Sequence, residues 1–201
     1  MALETEFEIA FATEPIGDPA DARLGQVLAL LPDATIASHR DFNIVTTAMH
    51  APDAIEAGIR AAQLIEAAGI RVLRTYQDLV ARQDIADRSD MTRQGVGLWV
   101  RGERFSETPF PAPVSLVSGG VWLWGDVVEW ARTLGLDWAA EEAHFPTLDD
   151  HNRLDVMISE GIQQVTVTTH LDIPGVVFSP HGRGTQQIAD DYYQRTYALA
   201  S

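Results

Sequence analysis

The chain has 201 residues, of which 14 are arginine, none is lysine and 29 are acidic, so its formal net charge at pH 7 is −15. A hydrophobic content of 46% excludes a disordered chain. No apolar run approaches the roughly 20 residues that cross a bilayer. Without cysteine, the chain can form neither disulfide bonds nor thiolate metal sites. The acidic N-terminus lacks a basic signal-peptide start, so we expect a cytoplasmic protein.

The charge is distributed unevenly along the chain. The window 71–104 holds seven arginines against five acidic residues, a net +2, and the remainder holds seven arginines against 24 acidic residues, a net −17. Because phosphate neutralisation supplies most non-specific affinity for DNA, such a chain would bind random DNA weakly. Nucleic-acid binding would therefore need a local arginine patch, doubled by dimerisation. The simpler interpretation is that the acidity only keeps the protein soluble.

Residues 1–76 predict the element order βαββαβ. The strands are expected at 6–12, 35–38, 42–49 and 70–76, with a helix at 21–31. A second helix is expected to begin with Pro52 in its first turn and to bury a stripe formed by Ile55, Ile59, Ala62 and Ile65. This order is that of the ferredoxin-like split unit. Such domains often dimerise or hold a small ligand, but the topology alone does not define a function.

The spacing in residues 79–101 predicts two short helices around a tight turn at 89–91. Thr92 is suited to N-cap the second helix, which we expect to run from Arg93 to about Arg101. Two short helices set across each other form a helix-turn-helix, which presents its second helix to the major groove of DNA.

Packing between these helices is predicted from their apolar positions. Ile85 and Ala86 face inward from the first helix, and Val96 and Trp99 recur at helical spacing in the second. We therefore expect Val96 and Trp99 to pack on Ile85.

The following segment predicts a β-wing. The prolines in FPAPV at 110–114 exclude a helix. Residues 114–117 and 121–124 are expected to form two short strands around the glycine turn 118–120. Asp126 is then expected to cap a helix that carries Val127, Trp130 and Leu134.

These motifs carry a family resemblance that covers about a quarter of the chain. The segments IADRSDMTRQGVGLWVRGER, FPAPV and VWLWGDVVEW resemble the MerR-like and phage-excisionase-like winged helix-turn-helix domains. The resemblance implies DNA binding, with the second helix in the major groove and the wing near the backbone. Asp90 stands where the family commonly has glycine, Gly95 and Gly97 lie inside the second helix, and the wing at 114–124 lacks the basic residues that relatives often carry.

The start of the second helix supplies the candidate base contacts. Thr92, Arg93 and Gln94 lie at the end that reaches base edges in this motif. Arginine can bond guanine bidentately, and glutamine can do so with adenine. The alternative is that these are solvated residues of a first helical turn.

Four further arginines are candidate DNA contacts. Arg101 and Arg104, at the far end of the second helix, are expected to bind phosphates. Arg82 and Arg88, on the first helix, are weaker candidates. Two acidic residues of the first helix could pair with them instead: Asp84 and Asp87.

Four tryptophans surround the predicted helix-turn-helix: Trp99, Trp122, Trp124 and Trp130. They could stack on bases or form an aromatic cage. Their spacing fits a packed core of wing on helix better, so we expect them to be buried.

The last third of the chain predicts a small α/β segment that is an appendage or completes a neighbouring sheet. It comprises an acidic, exposed connector at 139–150, helices at 148–160 and 184–199, and strands at 164–169 and 175–178. A metal-dependent hydrolase is an alternative function for this segment, because imidazole and carboxylate ligands suit zinc or iron. The relevant histidines are His144, His151, His170 and His181, with Asp172 in the fragment THLD. The turn HGRG at 181–184 could cradle an anion, although a plain turn is the simpler interpretation.

The sequence therefore predicts an α+β protein with three parts: a ferredoxin-like domain at 1–76, a winged helix-turn-helix at 77–135 and a C-terminal α/β segment at 136–201. We expect a non-enzymatic transcriptional regulator that binds double-stranded DNA as a homodimer, without cofactor or bound metal. The C-terminal segment is a possible contact for a protein partner. The main alternative is an acidic adaptor or inhibitor that uses a degenerate helix-turn-helix without DNA.

Overall fold

The computed structural model of the chain describes residues 4–140 and 143–161, and this part is mixed α and β, as predicted. The described helices and strands are β1 Thr5–Thr13, α1 Ala22–Leu30, β2 Thr35–Ser38, β3 Asn43–Ala51, α2 Ala54–Ala67, β4 Val72–Thr75, β5 Leu79–Ala81, α3 Arg82–Arg88, α4 Arg93–Val100, β6 Val121–Leu123, α5 Trp124–Thr133, α6 Asp137–Ala140 and α7 Leu148–Ser159.

Four strands form an antiparallel sheet in the order β2-β3-β1-β4. Residues alternate between the two faces of a strand, so Phe7, Ile9 and Phe11 share one face of β1. They pack in one hydrophobic core with Val27 of α1 and Ile65 of α2. We call this sheet, its helices and residues 143–161 the sheet region.

Helix α2 begins later than the sequence predicts. The carboxylate of Asp53 accepts the backbone N–H of Glu56 at 2.8 Å, so Asp53 is the N-cap. Pro52 therefore precedes the cap, and its predicted place in the first turn is wrong. A capping carboxylate satisfies an otherwise unpaired amide, and this fixes the start of the helix.

The buried face of α2 also differs from the predicted stripe. Ala62 and Ile65 of the predicted stripe are buried, whereas Ile55 and Ile59 are only half-buried. Three further residues of α2 are buried: Ala57, Gly58 and Ala61. The reason is helix α7, since a Cβ built on Gly58 would lie 2.6 Å from Cδ1 of Leu154. Close approach of a second helix thus buries Gly58, a position that side-chain size alone would not select.

Helix α7, predicted within the C-terminal segment, packs against α2 and β4. Asp155 accepts hydrogen bonds from the backbone N–H and the hydroxyl of Thr75, at 2.6 and 2.7 Å. Ile158 joins the hydrophobic core of the sheet region. The preceding residues also lie against the sheet, because the backbone of His144 pairs with β1. The expected exposed connector is therefore partly wrong.

Residues 77–140 form a second region, which we call the central region, with its own hydrophobic core. All four tryptophans predicted to be buried are buried there: Trp99, Trp122, Trp124 and Trp130. Ile85, Ala86 and Val96 belong to the same core, as the spacing predicts.

The predicted pair of strands at 114–117 and 121–124 is not formed. Strand β6 pairs with β5 in the register Leu79↔Leu123, and the earlier segment contributes only the bridge Ser115↔Val121. A 3-10 turn at Val117–Gly119 takes the place of an extended strand. Asp126 is also not a cap, because α5 begins two residues earlier, and Asp126 lies within its first turn.

None of the helices in residues 4–140 and 143–161 has both the length and the hydropathy that spanning a bilayer requires. The strands predicted at 164–169 and 175–178, the helix predicted at 184–199 and the sites around His170, Asp172 and the 181–184 turn lie outside the described residues.

Candidate nucleic-acid interface

Helices α3 and α4 are joined by a turn that reverses the chain within four residues, 89–92. Asp90 adopts a positive φ of 52°, a conformation that asparagine and aspartate tolerate better than other non-glycine residues. The backbone N–H of Met91 bonds the carbonyl of Ala86 at 2.9 Å. Thr92 then N-caps α4, its hydroxyl accepting the N–H of Gly95 at 3.1 Å. The sequence thus fixes where α4 starts and which residues occupy its first turn.

The first turn of α4 is exposed at Thr92, Arg93 and Gln94. A shallow groove of about 480 Å³ runs along this face of the helix. It is lined by Arg82, Arg93, Gln94, Gly97, Leu98 and Arg101. The lining therefore contains three guanidinium groups and no carboxylate, in a chain whose net charge is −15.

Arg93 is the least constrained of these arginines. Its guanidinium makes no hydrogen bond or ion pair with any residue of the described part of the chain. Gln94 follows it on the exposed surface. Both side chains can therefore reach a ligand without breaking an existing interaction.

Arg82 holds a fixed position at the edge of the groove. Its Nη2 donates to the carbonyl oxygen of Gly119 at 2.7 Å, and its guanidinium lies 5.9 Å from the ring centroid of Trp122. Its Nε is buried and has no hydrogen-bond partner among the described residues. Arg82 thus connects the start of α3 with the loop before β6.

Arg101 and Arg104 lie at the end of α4 and are exposed. Arg101 donates to both carboxylate oxygens of Glu103, at 2.6 and 3.2 Å. This bond lowers the pKa of Glu103 below its ordinary value. The pair is solvent-exposed, so it is weak and open to exchange with another anion. The guanidinium of Arg104 lies over the ring of Phe105 at 5.0 Å.

Arg88 belongs to a different environment from the groove. Its guanidinium donates to both carboxylate oxygens of Asp78 and lies 4.9 Å from the ring centroid of Trp124. The sequence offered two acids of α3, Asp84 and Asp87, as alternative partners of Arg82 and Arg88. Those acids have other partners, because Asp84 accepts from the backbone N–H of Ala81 and Asp87 accepts from Gln83.

The loop at 114–120 lies beside the groove, next to Arg82. Its Gly119 and Gly120 have positive φ values of 88° and 115°, and Ser118 has one of 53°. Leu116 and Val117 point into solvent and are 80% and 62% exposed. Sequence reasoning missed the exposure of these two residues, because it assigned them to a paired strand.

A second concavity, of about 440 Å³, lies elsewhere, between the start of α5 and the sheet region. Burial raises the pKa of the half-buried Asp126 there. Arg132 contacts Glu129 and His144. With several carboxylates in its wall, this concavity does not extend the cationic surface of α4.

The late histidines do not converge in the described part of the chain. His144 lies beside Arg132 and Phe7, whereas His151 is buried in α7. No group of three or more potential ligands within residues 4–140 and 143–161 could hold a metal ion.

The sequence was compared with protein-family models and with curated proteins, and the fold with solved structures; none of the three comparisons gave a match.

Proposed function

We propose that this protein is a DNA-binding transcriptional regulator that reads duplex DNA with helix α4. The observation that carries the proposal is the groove along α4, which has three arginines and no carboxylate in its lining. In a chain with 29 acidic residues and 14 basic ones, a groove lined by arginines, with Glu103 bonded to Arg101 at one end, is where a polyanion can approach. The first turn of α4 offers Arg93 and Gln94, whose side chains match guanine and adenine edges.

The arrangement around α4 supports assignment of the central region to the winged helix-turn-helix class. Helices α3 and α4 share a buried interface through Ile85, Val96 and Trp99. In this proposal the β5–β6 pair takes the role of the wing, together with the 114–120 loop that is bridged to β6 through Ser115 and Val121. The resemblance to MerR-like and excisionase-like domains rests on the same segment, and it is part of the proposal.

The sheet region supports assignment to the ferredoxin-like class. Its strand order β2-β3-β1-β4, with α1 and α2 contributing to one core, is the order that a βαββαβ split unit produces. We propose that it serves dimerisation. One α4 offers few cations, and a dimer doubles the number of phosphates that are neutralised.

Within this proposal the seven candidate residues have different roles. Arg93 and Gln94 read bases, and Thr92 fixes the helix end that carries them. Arg101 and Arg104 contact phosphates, the former by exchanging Glu103 for the DNA backbone. Arg82 supports the wing and lines the groove, whereas Arg88 stabilises the central region through Asp78 and Trp124.

The experiment is selection of bound fragments from random duplex DNA, followed by affinity measurement on the selected duplex. The double variant Arg93→Ala, Gln94→Ala is expected to weaken specific binding by about 1–3 kcal/mol for each lost base contact, which is roughly fivefold to 150-fold per contact. Arg153→Ala, at an exposed arginine of α7, is the matched control and should bind as the wild type does. Equal affinity of the double variant and the control for the selected site would remove α4 from DNA recognition.

The acidic adaptor remains the second candidate, and the net charge of −15 is the observation in its favour. It predicts that selection from random DNA yields no enriched sequence at low ionic strength, where electrostatic attraction is greatest.

A further inference from the structure

Leu116 is the most exposed large apolar side chain in the described part of the chain. Burial of a leucine side chain is favourable, so its exposure at the tip of a loop leaves this stabilisation unrealised in the free protein. Val117 beside it is also exposed, and together they form a small apolar tip.

The loop holds this tip in one conformation. The backbone N–H of Gly120 bonds the carbonyl of Val117 at 2.9 Å, and Val121 bonds Ser115 in the same way at 2.9 Å. Gly120 is also pressed against Trp122, since a Cβ there would lie 2.5 Å from the indole ring. A tip that is fixed in this way loses little conformational entropy when it is buried by a ligand.

The tip is connected to the cationic groove of α4 through one residue. Arg82 lines that groove and donates to the carbonyl of Gly119, whose own N–H bonds the carbonyl of Leu116 at 3.2 Å. These two hydrogen bonds link Arg82 of the groove to the backbone of Leu116.

The sequence around the tip carries no charge at all from residue 108 to residue 125. This stretch is a gap in the otherwise acidic sequence. No carboxylate of this stretch repels phosphates, so its own side chains do not oppose the approach of a DNA backbone.

We propose that Leu116 is an apolar wedge that enters the minor groove next to the site read by α4 and unstacks one base step there. Apolar side chains that insert in this way kink the duplex and are stabilised by the protein surface that the bent DNA then covers. Such a wedge explains why the wing lacks basic residues. The wing would bind DNA by inserting an apolar side chain and not by neutralising phosphates. The inference rests on the proposed DNA-binding function.

The test uses a selected duplex of about 30 base pairs, a length over which bending is measurable. It carries 2-aminopurine at successive positions beside the α4 site and a donor–acceptor pair at its ends. Wild-type protein is expected to raise 2-aminopurine fluorescence at one step and to shorten the end-to-end distance. Leu116→Ala should remove both signals and weaken binding roughly tenfold. Leu116→Phe should keep the unstacking signal, because it retains a large apolar side chain.

The matched control is Leu28→Ala, at an exposed leucine of α1, which should change neither signal. If Leu116→Ala bends DNA and binds it as the wild type does, the wedge proposal is wrong, while the proposed DNA-binding function still stands. Failure to select any duplex would overturn both. Sedimentation of Leu116→Ala tests a different role for the tip. If the oligomeric state changes while base stacking in the duplex stays as with the wild type, the tip is a contact between two copies and the wedge proposal is wrong.

Discussion

The core of the sheet region is built mainly from alanine, isoleucine and valine, whereas the core of the central region is built on four tryptophans. In the sheet region, small residues let elements approach closely, as at Gly58 and Leu154. In the central region, rings lie edge to face, with the centroids of Phe110 and Trp130 4.8 Å apart.

This difference matches the amount of regular backbone in each region. The sheet region is held by long strand ladders, such as the nine residue pairs between β1 and β3. Residues 101–113 of the central region form no helix or strand. Indole N–H groups hold this segment instead, because Trp122 donates to Pro111 at 2.9 Å and Trp130 to Thr108 at 3.0 Å. Aromatic side chains can thus organise a segment that lacks a hydrogen-bond ladder of its own.

The largest expected effect is that of Trp99→Ala, which should lower the free energy of unfolding by about 3–5 kcal/mol because it removes a fully buried ring. All five tryptophans lie between residues 99 and 138, so their fluorescence reports the central region, whereas far-UV circular dichroism reports both regions. In urea we expect the fluorescence transition to move to lower concentration and the dichroism transition to become biphasic. Trp99→Phe is the milder control. If the fluorescence and dichroism transitions shift to the same urea concentration, the two cores unfold as one unit. The two regions would then not differ in stability.

Asp155→Ala should have the next largest effect, at about 2–3 kcal/mol. It leaves the buried Thr75 without the charge-assisted hydrogen bonds to its N–H and hydroxyl. The loss should appear in the dichroism transition of the sheet region, with Asn152→Ala as a control at an exposed position of the same helix. Equal stability of the two variants would mean that α7 contributes little to the sheet region.

Gly58→Ala should destabilise the sheet region by about 1 kcal/mol, because overpacking against the buried Leu154 outweighs the gain in helix propensity. In a Leu154→Ala background the same change should stabilise. Gly25→Ala, in α1 with open space around it, should stabilise by about 0.5–1 kcal/mol. The three measurements are thermal unfolding free energies, and destabilisation by Gly58→Ala in both backgrounds would contradict close packing as the cause.

The smallest effect concerns pH and His151 of α7. Burial lowers the pKa of His151 below its ordinary 6.5, partly offset by Asp155 and Asp150. The unfolded chain therefore binds a proton more readily, and stability should fall as pH drops below about 6.5. His151→Gln should make this decline shallower, because glutamine takes up no proton in this range. If the stability of His151→Gln falls with pH as steeply as that of the wild type, other groups cause the decline.

Local patterns predicted most helices and strands of the described residues to within one or two positions, because alternation and helix caps act between near neighbours. Thr92 is an example, since its capping role depends on residues within one turn. The pairing of β5 with β6 could not be predicted from local patterns, because it joins residues that are 40 or more positions apart. The β-branched residues at 114–117 favoured a strand, and the 3-10 turn at Val117–Gly119 overrode that preference.

In the candidate site, too, features set by near neighbours could be predicted, and features set by distant contacts could not. Exposure of Arg93 and Gln94 follows from their place in the first turn of a helix whose buried face was evident. The fixed position of Arg82 does not follow from local sequence, because its hydrogen-bond partner Gly119 is 37 residues away. Arg88 was grouped with the DNA contacts for its charge, and only the fold reveals its contacts with Asp78 and Trp124.

The bond between Thr75 and Asp155, 80 residues apart, has a consequence for biosynthesis. At a ribosomal rate of about 5–20 residues per second, the partner of Thr75 is made roughly 4–16 s later. The whole central region emerges in that interval and can fold before the sheet region receives α7. Of the two described regions, the one whose translation begins first is therefore completed last.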